Sequence, residues 1–349
     1  GDPPLGEQVS LLGRHRGTRE VDHQREAVPA TGFGACVHDT MMARTEHDAP
    51  MTEGTEREGA GAGGAGKLGP ATRLGTVRLR VADMERVGAF YERGVGLERI
   101  VDEGGRRVLG SRGVPVLELV SRPELPPAPP AAAGLYHTAV LFDDRSDLAG
   151  ALYASAAATE GRYVGSADHL VSLAFYFQDP EGNGVELYWD RPADQWRWTD
   201  GQVVMDSLPL DPNAFIREHH RGPSEPGAPV GAAARVGHVH LKVGDIQTAK
   251  AFYVDAVGFE VTTALWQSAL FASAGGYHHH LGMNVWESRG AGPRQEALGL
   301  ESFEVLVAAA DLAGVRDRLG DAVVDDEGTV TAADPWGTLV LFRDAGWVG

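Results

Sequence analysis

Residues 73–98 (RLGTVRLRVADMERVGAFYERGVGLE) align without a gap on residues 235–260 (RVGHVHLKVGDIQTAKAFYVDAVGFE), with 12 of 26 positions identical. Such a repeat restricts the chain to architectures assembled from copies of one unit, because each copy must bury the same face in the same way. Both copies open with a period-2 strand (Val77, Leu79, Val81; Val239, Leu241, Val243). An aspartate able to cap a helix follows, then a helical stretch ending in Phe-Tyr, then a glycine stop. Strand-rich sequence comes next, over 107–120 and 262–286, so the unit reads as βαβββ.

Two further units are recognised by their ends. The stretches 179–188 (DPEGNGVELY) and 334–343 (DPWGTLVLFR) are turn-then-strand closures. Their openings are 134–141 (GLYHTAVL) and 299–306 (GLESFEVL), each followed by a helix that contains DLAG, at 147–150 and 311–314. Four modules result, spanning 73–122, 134–190, 235–288 and 299–344. The expected division is a first domain over 73–190, a linker over 191–234 and a second domain over 235–346. Residues 1–70 lack a sustained hydrophobic period and end in the run EGAGAGGAG (58–66), which buries too little apolar surface to offset the entropy of ordering it. They are expected to form a disordered tail.

Composition narrows the function classes. A net charge of −18 repels phosphate backbones and anionic bilayers, so neither nucleic acid nor a membrane is an expected partner. No window reaches the roughly 18 uninterrupted apolar residues that a membrane span needs. The single cysteine, Cys36, excludes an intramolecular disulfide framework. With no basic-then-apolar leader, the expected location is the cytoplasm, and any metal is expected on nitrogen and oxygen ligands.

The four modules resemble the vicinal oxygen chelate superfamily, the group of glyoxalases, bleomycin-resistance proteins and extradiol dioxygenases, over about 270 residues. The resemblance implies an α+β fold of four βαβββ modules paired into cupped mixed sheets. It also implies metal ligands on the first and last strands of paired modules. The first-strand positions here are Thr76, His137, His238 and Ser302, and the last-strand positions are Glu118, Glu186, Asn284 and Leu341. Only modules two and three supply imidazoles. Pairing those two would unite His137, His238 and Glu186, a two-histidine, one-carboxylate set that leaves about three sites open on an octahedral Fe(II).

The stretch 169–186 (HLVSLAFYFQDPEGNGVE) is similar to the ring-cleavage signature of extradiol dioxygenases, with His169, Tyr176, the D-P-E-G turn and Glu186 at matching spacing. Ala167 departs from that pattern, outside the chemistry. A second departure is that well-known two-domain members carry the metal in their last two modules, whereas the last module here lacks ligands, which favours the pairing of two with three. The resemblance implies an Fe(II)-dependent extradiol dioxygenase of the catechol 2,3-dioxygenase type, with Mn(II) as the other candidate ion. The partners would be a small aromatic diol and O2, and a homo-oligomer is compatible with modules that pair across subunits.

Tyr176, across the turn from Glu186, is expected to donate a hydrogen bond to a substrate oxygen. In the resemblance, a histidine within 277–284 (YHHHLGMN) acts as acid and base. Regular alternation puts His278, His280, Gly282 and Asn284 on one face, which favours His280 as the proton carrier; a bulge would favour His279 instead. His240, on the same side as His238, is a rival ligand or a contact behind the ligands. Two other readings share the scaffold. One is a glyoxalase-like isomerase or thiol transferase, which would need a fourth ligand where Asn284 stands. The other is a metal-free small-molecule binding protein of the resistance type.

Overall fold

The computed structural model describes residues 66–158, 161–221, 233–265, 267–326 and 328–346. All four modules are βαβββ units. The first comprises β1 (Arg73–Val81), a helix Met84–Ala89, β2 (Glu98–Glu103), β3 (Arg106–Ser111) and β4 (Val114–Ser121). The second runs β5 (Gly134–Phe142), a helix Arg145–Ala157, β6 (Arg162–Asp168), β7 (Ser172–Gln178) and β8 (Gly184–Asp190). After the short strands β9 (Trp198–Thr199), β10 (Gln202–Val203) and β11 (Leu208–Pro209) and a helix Pro212–His219 comes the third module. It contains β12 (Ala234–Lys242), a helix Ile246–Lys250, β13 (Glu260–Leu265), β14 (Ala269–Ser273) and β15 (Leu281–Asn284). The fourth is β16 (Gly299–Val307), a helix Ala309–Leu319, β17 (Val323–Asp326), β18 (Thr329–Ala333) and β19 (Leu339–Asp344).

Local signals explain these boundaries. Asp83, Asp144 and Asp245 each accept a hydrogen bond from a first-turn backbone N–H of the helix that follows, and so satisfy a donor the helix leaves unpaired. Gly96 and Gly258, which end the two copies of the repeat, have φ of 86° and 106°, a region that costs a side-chain-bearing residue energy.

Pairing runs across the chain rather than along it. An eight-stranded sheet has the order β17-β18-β19-β16-β1-β4-β3-β2, and a nine-stranded sheet the order β11-β6-β7-β8-β5-β12-β15-β14-β13. Module one therefore joins module four, and module two joins module three. In each sheet the two first strands pair antiparallel, β1 with β16 and β5 with β12, and each is flanked by its own module's last strand in parallel. Each half of the chain, 73–190 and 235–346, contributes one module to each sheet.

The Phe-Tyr pair of the repeat ties the modules within each half. Phe90, Tyr91 and Tyr253 are buried, and Phe252 packs against the same core. Tyr91 Oη donates to Asp179 Oδ2 (3.3 Å) in the D-P-E-G turn of module two, and Tyr253 Oη donates to Asp334 Oδ2 (2.9 Å) in the D-P-W-G turn of module four. Each aspartate also accepts backbone N–H groups of its own turn, so one buried carboxyl holds both a closure and a neighbouring helix.

Two expectations are corrected. The tail expected over 1–70 lies outside the described residues up to position 65, but 66–70 is anchored: Leu68 is buried in the core and its N–H donates to Gly258 O (3.0 Å). The segment 191–234, expected as a linker, carries β9, β10, β11 and a helix, and β11 extends the nine-stranded sheet by pairing with β6. Its apolar residues Val203, Phe215 and Ile216 are buried, which a polar linker would not offer. Among the described residues no helix is long and apolar enough to cross a membrane.

Tyr91→Phe and Tyr253→Phe each remove a donor from a buried carboxyl. Each is expected to lower unfolding stability by about 2 kcal/mol in chemical denaturation, with the sheet signal in circular dichroism unchanged.

Candidate metal centre

The triad is assembled by register. Ala139 on β5 lies opposite Glu186 on β8 and opposite His238 on β12, so the carboxylate and one imidazole flank a single small residue on adjacent strands. His137, two residues before Ala139, shares its face of β5. Ala139 is fully buried, and its methyl leaves the space above it to the three larger side chains. On β12 the register shifts between Val236 and His238. The residue in that irregularity is Gly237, where a Cβ would overlap Tyr188 Oη. The same R-x-G step in the first copy gives Gly75, within the register shift of β1 between Leu74 and Val77.

His137 Nε2 lies 2.9 Å from Glu186 Oε2, His238 Nε2 lies 3.1 Å from the same oxygen, and the two imidazole nitrogens are 3.4 Å apart. Ligands about 2.1 Å from one ion and at right angles to each other would be about 3 Å apart. The three atoms thus already have the spacing of one face of an octahedron, and the donor set suits a divalent ion. All three residues are buried. Burial opposes the charge on Glu186, yet His238 and His137 hold its carboxyl well below the usual range. Burial pushes His238 down, against the pull of Glu186, and so favours the neutral imidazole that ligates a metal.

The triad opens into a cavity of about 410 Å³, also lined by Tyr176, His169 and His279. His169 Nδ1 is 2.7 Å from Asp206 O, which can only accept, so Nδ1 carries the proton. In the neutral ring its Nε2 then accepts from Tyr176 Oη (2.6 Å). His169 is aimed by the next residue: Leu170 has φ of 68°, held by a hydrogen bond from its N–H to Asp168 Oδ1, and Asp168 is itself paired with Arg191. Burial, reinforced by Glu186, raises Tyr176 well above the usual phenol value, so it stays a protonated hydroxyl.

The triple histidine departs from regular alternation. β15 begins only at Leu281, so the three rings leave a turn rather than a pleated strand. His279, not His280, lines the cavity, with its ring 4.2 Å from that of His238. His280 turns to the other side, where Ser273 Oγ donates to its Nδ1 (2.8 Å) and Tyr277 and Phe259 pack against it. Burial lowers it to about 3 and also pushes His279 well below the usual imidazole value, so position and not charge separates the two. The structure thus brings His279, the second choice, to the cavity in place of His280.

His278, completely buried, connects His279 to a carboxylate. Its Nε2 donates to Asp190 Oδ1 (2.8 Å), and its Nδ1 is 2.7 Å from His279 Nδ1. Asp190 Oδ2 accepts from Tyr277 Oη, which is 2.8 Å from Tyr188 Oη. With the Nε2 proton of a neutral His278 committed to Asp190, its Nδ1 is an acceptor, and His279 Nδ1 supplies the proton between the rings. His279 Nε2 is then a lone pair. Alternation alone gave no sign of this chain, because Asp190 and His278 lie on different modules.

His240 is not one of the convergent ligands. Asn284 Nδ2 donates to its Nε2 (3.0 Å), and Asn284 Oδ1 accepts from Trp286 N, so Asn284 supports His240 instead of occupying a fourth ligand position. In the other sheet no comparable donor group converges among the described residues. Glu118 there is paired with Arg78 (3.1 Å) and Arg106 (2.6 Å), and Glu301 with Arg78 and Arg80.

Gly237→Ala places a methyl where the Tyr188 hydroxyl now sits. It is expected to cost about 1–3 kcal/mol in denaturant unfolding and to disturb the near-ultraviolet circular dichroism of the tyrosine cluster.

Residues 73–187 and 235–342 match the Glyoxalase/Bleomycin resistance protein/Dioxygenase superfamily. A catechol-2,3-dioxygenase of Bacillus subtilis (strain 168) is 35% identical over 275 residues, which is 76% of this chain and 94% of that protein. A biphenyl-2,3-diol 1,2-dioxygenase 2 of Rhodococcus globerulus is 33% identical over 109 residues, 31% of this chain and 47% of that protein. A solved structure from Bacillus subtilis subsp. subtilis strain 168 superposes with a TM-score of 0.53 at 11% identity, covering 80% of this chain and 87% of its own, and shares the fold. With both halves of the chain matched and a relative of this identity aligned over most of its length, the protein belongs to the glyoxalase, bleomycin-resistance and dioxygenase superfamily.

Proposed function

We propose that the protein is an Fe(II)-dependent extradiol dioxygenase that opens the ring of a catechol-type aromatic diol with O2. The observation that carries this reading is the facial set His137, His238 and Glu186 in the lining of a cavity of about 410 Å³, with half of a coordination sphere left for substrate. The names of the two relatives, both diol dioxygenases, support it. Bound Fe(II) would supply adjacent sites for the diol oxygens and dioxygen, turning a three-body encounter into a templated one.

The chain's own groups handle protons and orientation. The donor role expected of Tyr176 is changed by this contact: its Oη donates to His169 Nε2, so toward a diol hydroxyl it acts as the acceptor while its own proton moves toward His169. Asp190 and His278 fix the tautomer of His279, so the lone pair on its Nε2 is available as a base beside His238, whereas Tyr176 packs beside His137. Met205, Ser207, Leu208, Pro209 and Leu210 add a further wall to the cavity.

Chelator-free purification followed by elemental analysis is expected to find a divalent metal. Anaerobic Fe(II) reconstitution is expected to yield oxygen uptake and a yellow ring-fission product with catechols. His137→Ala, His238→Ala and Glu186→Ala should each drop iron occupancy below about a tenth of the wild-type level; full occupancy in any one of them removes that residue from the triad. Tyr176→Phe and His279→Ala should retain iron and lower kcat about 100-fold. Wild-type kcat in either variant would show that the residue merely lines the cavity.

A further inference from the structure

We infer that His240 orients the substrate: the tautomer that Asn284 imposes on its ring presents Nδ1–H to the bound diol as a fixed hydrogen-bond donor. The inference rests on the diol-cleaving reading above and adds to it a residue outside the metal ligands and the proton-handling groups.

The tautomer follows from a backbone group. Trp286 N–H can only donate, and it meets the Asn284 side chain at 3.2 Å, so the atom it meets is the amide oxygen. The amide nitrogen is thereby turned to His240 Nε2, 3.0 Å away, and an amide nitrogen also only donates. An imidazole nitrogen that accepts carries no proton, so the single N–H of the ring is at Nδ1.

Packing holds that N–H in one place. His240 on β12 lies opposite Gly282 of β15 on one side and His137 of β5 on the other. A Cβ on Gly282 would stand 2.9 Å from both Cγ and Nδ1 of the ring, so the imidazole lies over bare glycine backbone. Tyr136, His137, Phe271 and Trp286 surround it, with ring centroids 4.9 to 5.7 Å away. Among the described residues no group accepts from Nδ1. His240 lines the same cavity as the triad, and its Nδ1 is not sealed from that space as the unpartnered Nδ1 of His238 is.

The neighbouring groups of the cavity lack such a donor. Tyr176 Oη and His279 Nε2 meet a diol as acceptors, and Glu186 is anionic. A diol oxygen that has passed its proton to either acceptor is left buried with excess charge, which is costly without a donor. His240 supplies one that is aimed before the substrate arrives and does not reorganise when it binds. Ser172, Ser207 and Gln178 also offer donors, but from β7 and segment 205–210, whereas His240 stands on a ligand-bearing strand opposite His137.

Two measurements test this. In the full chain with isotope-labelled histidines, loaded with Zn(II), proton–nitrogen correlation spectra should show His240 protonated at Nδ1 and bare at Nε2; loss of the signal in His240→Gln assigns it. Asn284→Asp offers only acceptors to the ring and should reverse that pattern. In the Fe(II)-loaded protein, His240→Phe and Asn284→Asp should each weaken catechol binding under nitrogen about 30-fold at wild-type iron occupancy. His240→Gln, which keeps a side-chain N–H, should return to within about fivefold of the wild type. Asn284→Asp added to His240→Phe should have no further effect, because the ring through which this positioning residue acts is gone. Three results would each overturn the inference: wild-type His240 protonated at Nε2, wild-type affinity in His240→Phe, or an undiminished effect of Asn284→Asp in the His240→Phe background. In all three, catechol cleavage by the wild type leaves the diol-cleaving reading standing. If the wild type neither binds nor cleaves a diol, that reading fails and takes the inference with it.

Discussion

A carboxylate and two imidazoles, buried together with their ligand atoms within about 3 Å of one another, set the terms for the rest of this molecule. An ionised carboxylate stripped of water is expensive unless positive charge or hydrogen bonds replace the water. Against the burial that opposes its charge, His238 and His137 hold the Glu186 carboxyl well below the usual range, and a divalent cation would supply the same compensation with a full charge. The fold gathers three donors from three strands and two modules at one buried point.

The same scaffold, used a second time, shows what happens without that constraint. In the eight-stranded sheet Thr76 and Ser302 occupy the aligned positions of His238 and His137, and Leu341 that of Glu186. The charged residues around them are Arg78, Arg80, Arg106, Glu118 and Glu301, and they neutralise one another in pairs at partly solvated positions. The same eight-strand arrangement, extended by β11 in one sheet, thus carries either a set of ion pairs or a set of metal donors. Which one it carries depends on a few side chains in the central strands, not on the path of the backbone. The tyrosine-to-aspartate contacts, in contrast, are present in both halves, because holding each turn against its neighbouring helix is a requirement of the fold itself.

Much of this was legible in the chain. The repeat predicted the βαβββ unit and the two turn-then-strand closures its number, since a strand period followed by a capping aspartate, an apolar helix and a glycine in the left-handed region can be read locally. The bare inventory of donors, with imidazoles only in modules two and three, pointed to the pairing of those modules. His280 was not legible in the same way. Alternation assumes that the pleat extends from Asn284 back through the histidines, and the pleat stops at Leu281. Segment 191–234 reads as a linker because it is a long polar stretch, yet Val203, Met205 and Leu208 reach the core or the cavity wall.

The sequence by itself determined the module, its fourfold use and the residue types available for chemistry, because periodicity, caps and turns act over a few residues. Only the tertiary structure decided that Ala139 stands between Glu186 and His238, that Asp190 orients His279 through His278, and that residues of segment 205–210 line the cavity. Those relations depend on strand register and on contacts between modules about 50 to 100 residues apart in the chain. Register is set by the whole sheet at once, by a bulge at Gly237 and by which edges are left to pair, so no local reading contains it.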